Sequence, residues 1–464
     1  MRRYAAWVLC LAGFLSTRAG AAASLETAVD AYLAEEMKAQ QIPGMALAVV
    51  KDGEPVLVKG YGRASLEHAV AVTPDTVFQL GSIGKQFTAT AVMLLANEGR
   101  LRLDDPLQKY LPEVPDSWHG VTLRLMLNHQ AGIAQFTTPK RQLLDLAHDY
   151  SDAELLQLAI RQPLDFEPGT DVSYSDTAYV LLGFVINRVA GEFYGDYLKE
   201  HVFKPLGMDK TRIISDSDIV LDRAAGYERG EDGSLRNQTP VSPALNRTAD
   251  GSLYSTVRDL IKWDRALDTG AILQLGQLKR MWQIDAHKNG QRPLYHFGYG
   301  WENNHLRDEH LIEYDGNWQG FQAVMTRYSE AHVTVILLTN LALCRTERMG
   351  HHVGGLAGGV APYPKAVEDK APRMTREFSD FLDAAQGFTA GRSKAFETLK
   401  VPAGTLKRTL QEGGPIASVT LAEDRYIGGE RERVYRVETA DMVDFYRVHY
   451  RGKLAQDLEL FREY

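Results

Sequence analysis

Three short stretches of the chain hold residue types that could do chemistry together. "QLGSIGKQFT", residues 79–88, sets Ser82 and Lys85 three apart at the start of an apolar run. A serine hydroxyl becomes a useful nucleophile only when a neighbouring group takes its proton. A lysine one helical turn on shares the serine's face, and burial moves it toward a usable base. "VSYSDTAY" sets Tyr174 two residues before Asp176, ahead of a second apolar run, so a phenol and a carboxylate could point into one cleft. "IEYDGNWQGF" brings a strand-like run to Tyr314-Asp315-Gly316, and glycine there lets backbone approach a ligand closely. Each stretch also has an ordinary reading: a plain helix start at Ser82, and a helix cap by Ser175 or Asp176 beside a packed tyrosine.

Other chemistries fail on spacing. A phosphate loop requires glycine five residues before its Gly-Lys and Ser or Thr after it, and Gln79 and Gln86 occupy those places. There is no G-x-S-x-G elbow and no H-E-x-x-H pair. His351 and His352 are adjacent, which does not put both on one helix face as zinc needs, so no metal and no cofactor is expected. His129, in "LNHQAG", reads as a structural loop residue and not as a base.

The elements that must position these residues are legible in outline. The run after Ser82, "IGKQFTATAVMLLANEGRL", is apolar nearly all round and predicts a buried helix ending near Asn97, with Gly99 as its cap. Ser82 then lies at a helix N-terminus, where free N–H groups favour a developing oxyanion. Residues 24–40 show helical periodicity, and "GMALAVVKDGEPVLVKGYG" predicts a hairpin about Asp52-Gly53. A long, mostly helical middle over roughly residues 82–290 follows, and strands return in "EHLIEYDG", "GFQAVMTRY" and "HVTVILLTN". Early and late strands predict an α+β fold: one antiparallel sheet flanked by helices, with a largely helical region inserted.

Composition then shifts. Residues 361–373, "APYPKAVEDKAPR", read as a linker. Residues 374–464 read as a small C-terminal α+β module, with two helical patterns and alternating strands from Ile416. The module carries no chemical motif and reads as a packing or substrate-shaping appendage. A chain cut near Lys365 is expected to leave a folded first domain.

Bulk properties bound the partners. The chain has 464 residues, 44% hydrophobic and 24% charged, as an ordinary globular protein of more than one domain does. "MRR", a short apolar run and small residues at A-x-A spacing make residues 1–23 a secretory signal peptide. Cleavage near Ala21 or Ala23 sends the chain to the periplasm or medium without a stable membrane anchor, and leaves 24–360 as the first domain. Loss of Arg2, Arg3 and Arg18 moves the net charge from −8 to −11, which does not suit a nucleic-acid binder. A small-molecule or peptide substrate is expected. Only Cys344 remains after cleavage, so no internal disulfide forms.

Taken together the motifs resemble the penicillin-recognising serine hydrolases, specifically the class C β-lactamase-like family with its D,D-carboxypeptidases and esterases. "FQLGSIGKQFTATAVMLLANEGRLRLDDPLQKYLP", "LRLMLNHQAGI", "YSDTAYVLLGFVINRVAG", "FKPLGM" and "FGYGW" stand in that family's order, over about residues 26–345. The resemblance implies a β-lactamase/transpeptidase-like fold. It also implies an acyl-enzyme on Ser82, activation by Lys85, and proton shuttling by Tyr174. Asp176, Tyr314, Gly316 and Asn317 would line the substrate and oxyanion site, with N–H donors from Asn317 and Ser82.

Two departures bear on the substrate. Asp176 replaces the family's asparagine, and if ionised it would pair with Lys85 and weaken it as a base. Tyr314 replaces a lysine or histidine, and Glu313 and Asp315 are expected to flank it with negative charge. The expected function is an exported serine hydrolase acting on a carboxylic ester or small amide. The alternatives are a D,D-peptidase or weak β-lactamase on peptidoglycan-like substrates, or a non-catalytic binding protein on the same fold.

Overall fold

The computed structural model describes residues 24–138, 141–361, 363–387, 394–396, 399, 403–412, 414–439 and 443–463. The expected signal peptide, residues 1–23, lies outside them. Gly44–Lys51 (β1) and Glu54–Ser65 (β2) form the hairpin, with Asp52 and Gly53 both at positive φ (53° and 76°), as its tight turn requires. Val70–Ala71 (β3) adds the edge. The late strands are Glu302–Leu306 (β4), Glu309–Trp318 (β5), Phe321–Tyr328 (β6) and Val333–Thr339 (β7). They complete a seven-stranded antiparallel sheet in the order β4-β5-β6-β7-β1-β2-β3. β1 pairs with β7, Met45 opposite Thr339, so the two ends of the first domain meet in the middle of the sheet.

Both faces of the sheet are buried at its centre, which is why β1, β6 and β7 are buried over nearly their whole length and mostly apolar, with Gln322, Thr326, Arg327 and Thr334 among the polar exceptions. Met45, Leu47 and Val49 face one way, packed with Val29 and Leu33 of the helix over residues 24–40 (α1) and with Met349 and Val353. Ala46 and Ala48 face the other way, into a second core with Ile83, Phe87 and Val92. That second core is centred on Gly84–Asn97 (α2), whose Phe87, Ala91, Val92 and Leu95 are fully buried. Asp176–Ala190 (α3) and Val257–Thr269 (α4) pack around it, and Thr346–Gly358 (α5) covers the opposite face of the sheet. Burial of each such aliphatic side chain contributes about 1.5–3 kcal/mol, so the functional helix sits in the most tightly determined part of the molecule. The inserted region between sheet strands does contain helices, but short strands and loops interrupt it more than the apolar pattern suggests.

Beyond residue 361 the chain folds against itself and against the first domain. Pro372–Gln386 (α6) and Ala403–Glu412 (α7) lie on one face of a four-stranded antiparallel meander. Its strands are Ile416–Ile427 (β8), Glu430–Thr439 (β9), Val443–Arg451 (β10) and Leu454–Glu463 (β11). Phe378, Leu382, Leu406, Leu410, Tyr435 and Tyr446 form its core, and Leu294 of the first domain is buried in the same core. The intervening segment is fastened down: Val367 N–H donates to Leu421 O (2.8 Å) and Thr420 Oγ1 to Lys365 O (2.9 Å). Arg292 pairs with Glu459 (2.9 Å), Arg307 with Glu423 (3.1 Å) and Arg425 with Asp308 (2.7 Å) across the same junction. A cut near Lys365 would therefore uncover Leu294 and break these pairs. Among the described residues no helix is long and apolar enough to cross a membrane.

Candidate active site

Ser82 occupies a 3-10 turn, Gly81–Ile83, that runs straight into α2. The turn is pressed against β5. A methyl group on Gly316 would lie 1.9 Å from Leu80 O and 2.9 Å from Ser82 N, and one on Gly81 (φ +55°) would lie 2.5 Å from Asn317 N. Glycine at both positions allows this approach, and it brings the backbone of the Ser82 turn against that of Gly316-Asn317.

Lys85, in the first turn of α2, is fully buried. Its ammonium donates to Ser82 Oγ (2.9 Å), Asp176 Oδ1 (2.6 Å) and Asp250 O (2.6 Å), which uses all three N–H bonds. It also lies over the rings of Tyr174 (4.8 Å) and Tyr179 (5.5 Å). Tyr174 Oη is 2.5 Å from Ser82 Oγ and donates to Asp176 Oδ1 at 2.8 Å. Since the phenol has one hydrogen and directs it at Asp176, the serine hydroxyl is the donor to Tyr174. A directed chain results: lysine to serine, serine to tyrosine, tyrosine to aspartate.

The local sequence explains how Asp176 becomes available for this. Ser175, not Asp176, caps α3 by accepting from Ala178 N–H (3.1 Å), which leaves the aspartate to face Lys85. Gln135 holds it from behind, donating to Asp176 Oδ2 (2.7 Å) and accepting from Asp176 N–H (2.8 Å). Burial alone would raise the Asp176 carboxyl, but the Lys85 charge and the bonds from Lys85, Tyr174 and Gln135 lower it below the usual range. Burial pushes the Tyr174 phenol well up, so it is neutral at rest.

His129 is neutral too, pushed down to about 3 by burial and then by the Lys85 charge. Its Nδ1 accepts from Ser175 N–H (3.1 Å), and its ring packs on Tyr174 and Phe297. That is a scaffold role, as the sequence suggests. Tyr314 is buried with its hydroxyl 3.4 Å from His129 Nε2. The expectation that Glu313 and Asp315 flank Tyr314 with negative charge is met in part: the charges of Asp315, Asp176 and Glu302 act on the phenol, whereas strand alternation turns Glu313 away. Glu313 points through the opposite sheet face, bound to His351 (2.7 Å) and Thr326 (2.8 Å). Asp315 shares that alternation, is partly buried and accepts from Gln322 (3.2 Å). Cys344 is a buried free thiol.

Gln135 and Asp250 were not singled out by sequence reasoning. Neither sits in a periodic run or a motif; they reach the site through loops whose course only the fold defines. Burial, then the Asp176 charge, push the Asp250 carboxyl up to about 6, and its Oδ1 lacks a hydrogen-bond partner. A carboxyl raised in the folded state penalises folding as pH climbs from about 4, its unfolded value, through 6. Asp250→Asn is therefore expected to match the native Tm near pH 4 and to exceed it above pH 6, by roughly 1–3 °C. Thermal melts across pH 4–8 test this, and an advantage present equally at pH 4 would contradict it.

Among the described residues no group of His, Cys, Asp and Glu could hold a metal ion. A cavity of about 910 Å³ lies elsewhere, lined by Phe193, Lys199, Arg212 and Arg247 among others, and none of Ser82, Lys85 or Tyr174 borders it.

Comparison with known proteins agrees with this architecture. The family model described as Beta-lactamase matches residues 29–348. The chain is 27% identical over 313 residues to penicillin-binding protein 4* of Bacillus subtilis, covering 65% of this chain. It spans between 62% and 68% of the length of the curated relatives it matches. The octameric penicillin-binding protein homologue from Pyrococcus abyssi superposes with a TM-score of 0.63 at 22% identity, covering 94% of this chain and 98% of that one. The D-amino acid amidase from Ochrobactrum anthropi SV3 superposes with a TM-score of 0.61 at 26% identity, covering 73% and 97%. With the family's match running from α1 into α5 and taking in the whole seven-stranded sheet, the chain belongs to the β-lactamase family of serine hydrolases.

Proposed function

We propose that the chain is an exported serine hydrolase that works through an acyl-enzyme on Ser82, with a carboxylic ester or small amide as substrate. The observation that carries this reading is Ser82 Oγ held between Lys85 Nζ (2.9 Å) and Tyr174 Oη (2.5 Å). As Ser82 attacks the acyl carbonyl, its proton passes to Tyr174 Oη while the phenol's own hydrogen moves to Asp176 Oδ1, so the phenol stays neutral and the carboxylate holds the proton until the relay runs back to the leaving group. Lys85, which donates to Ser82 Oγ, steadies the developing alkoxide. The Ser82 and Asn317 N–H groups receive the carbonyl oxygen as it gains charge. Tyr174 then returns the proton to the leaving group and later activates the deacylating water. Gly316 serves by its lack of a side chain. Export rests on the N-terminal pattern of residues 1–23.

The charges favour a substrate without a carboxylate beside the reacting carbonyl. Tyr314 offers no charge, Lys85 has no N–H to spare, and Asp176 is ionised. A charge-assisted hydrogen bond is worth about 1.5–3 kcal/mol, and an anionic substrate forgoes it here. A neutral ester does not, and its alkoxide leaving group needs less help from a proton donor than an amine. Short-chain p-nitrophenyl esters are therefore expected to turn over measurably and nitrocefin weakly or not at all. Side-by-side kcat/KM values on p-nitrophenyl butyrate and nitrocefin decide it. A clear preference for nitrocefin would instead favour the β-lactam and D,D-peptide reading that the penicillin-binding relatives suggest.

A further inference from the structure

The C-terminal module touches the candidate active site at two points, both on α7. Thr405 Oγ1 donates to the Asp171 carboxylate and to Val172 O (3.3 Å). Arg408 Nη2 donates to Asp171 Oδ2 (2.8 Å) and to Val172 O (3.1 Å), and its guanidinium lies 5.6 Å over the Phe166 ring. Asp171 and Thr405 are both buried, and the Arg408 side chain, 36% exposed, closes the lock from its solvent side. Tyr174 follows Asp171 by three residues. One turn along α7, Thr409 Oγ1 bonds Tyr295 Oη (2.8 Å). Tyr295 stacks on Phe297 (6.0 Å), which in turn packs on His129 (4.6 Å) and Tyr174 (6.1 Å).

Tyr174 is thus bracketed. His129 anchors its immediate neighbours, accepting from Ser173 N–H at its carbonyl (3.0 Å) and from Ser175 N–H at its ring (3.1 Å). The approach to it, Asp171-Val172, is anchored by the other domain. A proton passes between oxygens 2.5 Å apart only while that spacing is kept, and misplacement by about 1 Å can cost on the order of a hundred-fold in rate.

We propose that Arg408 and Thr405 are positioning residues for the reaction. Through them α7 sets the placement of Tyr174, and the C-terminal module completes the active site of the first domain. The proposal rests on the reading of Tyr174 as the proton carrier. It assigns the module a task in the chemistry that its own sequence, devoid of motifs, does not announce.

The test is a double-mutant cycle on the full-length chain, read by the rate of Ser82 modification with a fluorophosphonate. Arg408→Ala is expected to lower the maximal labelling rate at least about ten-fold while the apparent affinity for the probe changes less than about three-fold. Arg408→Lys should recover part of the loss. In a Tyr174→Phe background the same Arg408→Ala change should cost less than about two-fold, because there is no phenol left to misplace. A merely structural role would lower the labelled fraction equally in both backgrounds, and that additive result would overturn the proposal. Should Arg408→Ala fail to fold, Thr405→Val removes one donor with little change of shape and carries the same cycle. Failure of the underlying reading looks different: Tyr174→Phe alone would then label at the native rate.

Discussion

Ser82→Ala is expected to abolish fluorophosphonate labelling and to lower ester turnover by at least about four orders of magnitude, with the fold intact. The size follows from what is removed. A serine nucleophile has no substitute in this site, and deleting a comparable one elsewhere costs roughly a million-fold in turnover. The fold should survive because Ser82 contributes no apolar packing: its oxygen only accepts from Lys85 and donates to Tyr174. Mass spectrometry of the labelled peptide, with circular dichroism as the control, makes the measurement. A native protein that never takes the label would sink the enzyme reading and leave a binding protein on this fold.

The second large effect concerns the groups on either side of that oxygen. Lys85→Ala and Tyr174→Phe are each expected to reduce turnover by at least about two orders of magnitude, the scale usual for loss of a positioned proton-transfer group. Tyr174→Phe is the cleaner experiment, because it removes one oxygen and keeps the ring that packs on His129 and Lys85. Lys85→Ala leaves Asp176 without its cation, so its melting temperature should fall as well.

Asp176→Asn makes the informative contrast. Its carbonyl oxygen could still accept from Lys85 and Tyr174, and loss of the carboxylate charge frees Lys85 to take the Ser82 proton directly, so activity is expected to persist within about ten-fold or to rise. Its amide nitrogen, however, would meet the Gln135 Nε2 donor that now bonds Asp176 Oδ2. A lowered Tm is expected from that clash, and Gln135→Glu in the same chain should restore it by supplying an acceptor. Loss of activity in a folded Asp176→Asn protein would instead make Asp176 the required proton acceptor at the end of the chain from Ser82.

The sequence alone determined the parts of this protein that repeat along the chain or recur at fixed spacing. The hairpin at Asp52-Gly53, the buried helix after Ser82 and the four strands of the C-terminal meander all follow from local periodicity and turn chemistry. Ser82 and Lys85 share one helical turn, so their bond follows from spacing as well. Tertiary structure decided everything that depends on which segments meet. Tyr174 and Asp176 are about ninety residues from Ser82, and only the packing of α3 on α2 brings the phenol to the serine. Which of Ser175 and Asp176 capped α3 was open until Gln135 and Lys85, both from other elements, claimed the aspartate. That Tyr314 has negative surroundings is legible in the sequence, but that Glu302 and Asp176 help to supply them while Glu313 turns to the opposite face of the strand is decided by the fold. The lock between Arg408 and Asp171 joins a helix residue to a loop residue 237 positions away, and no local signal pairs the two, so it is absent from any reading of the chain as a string.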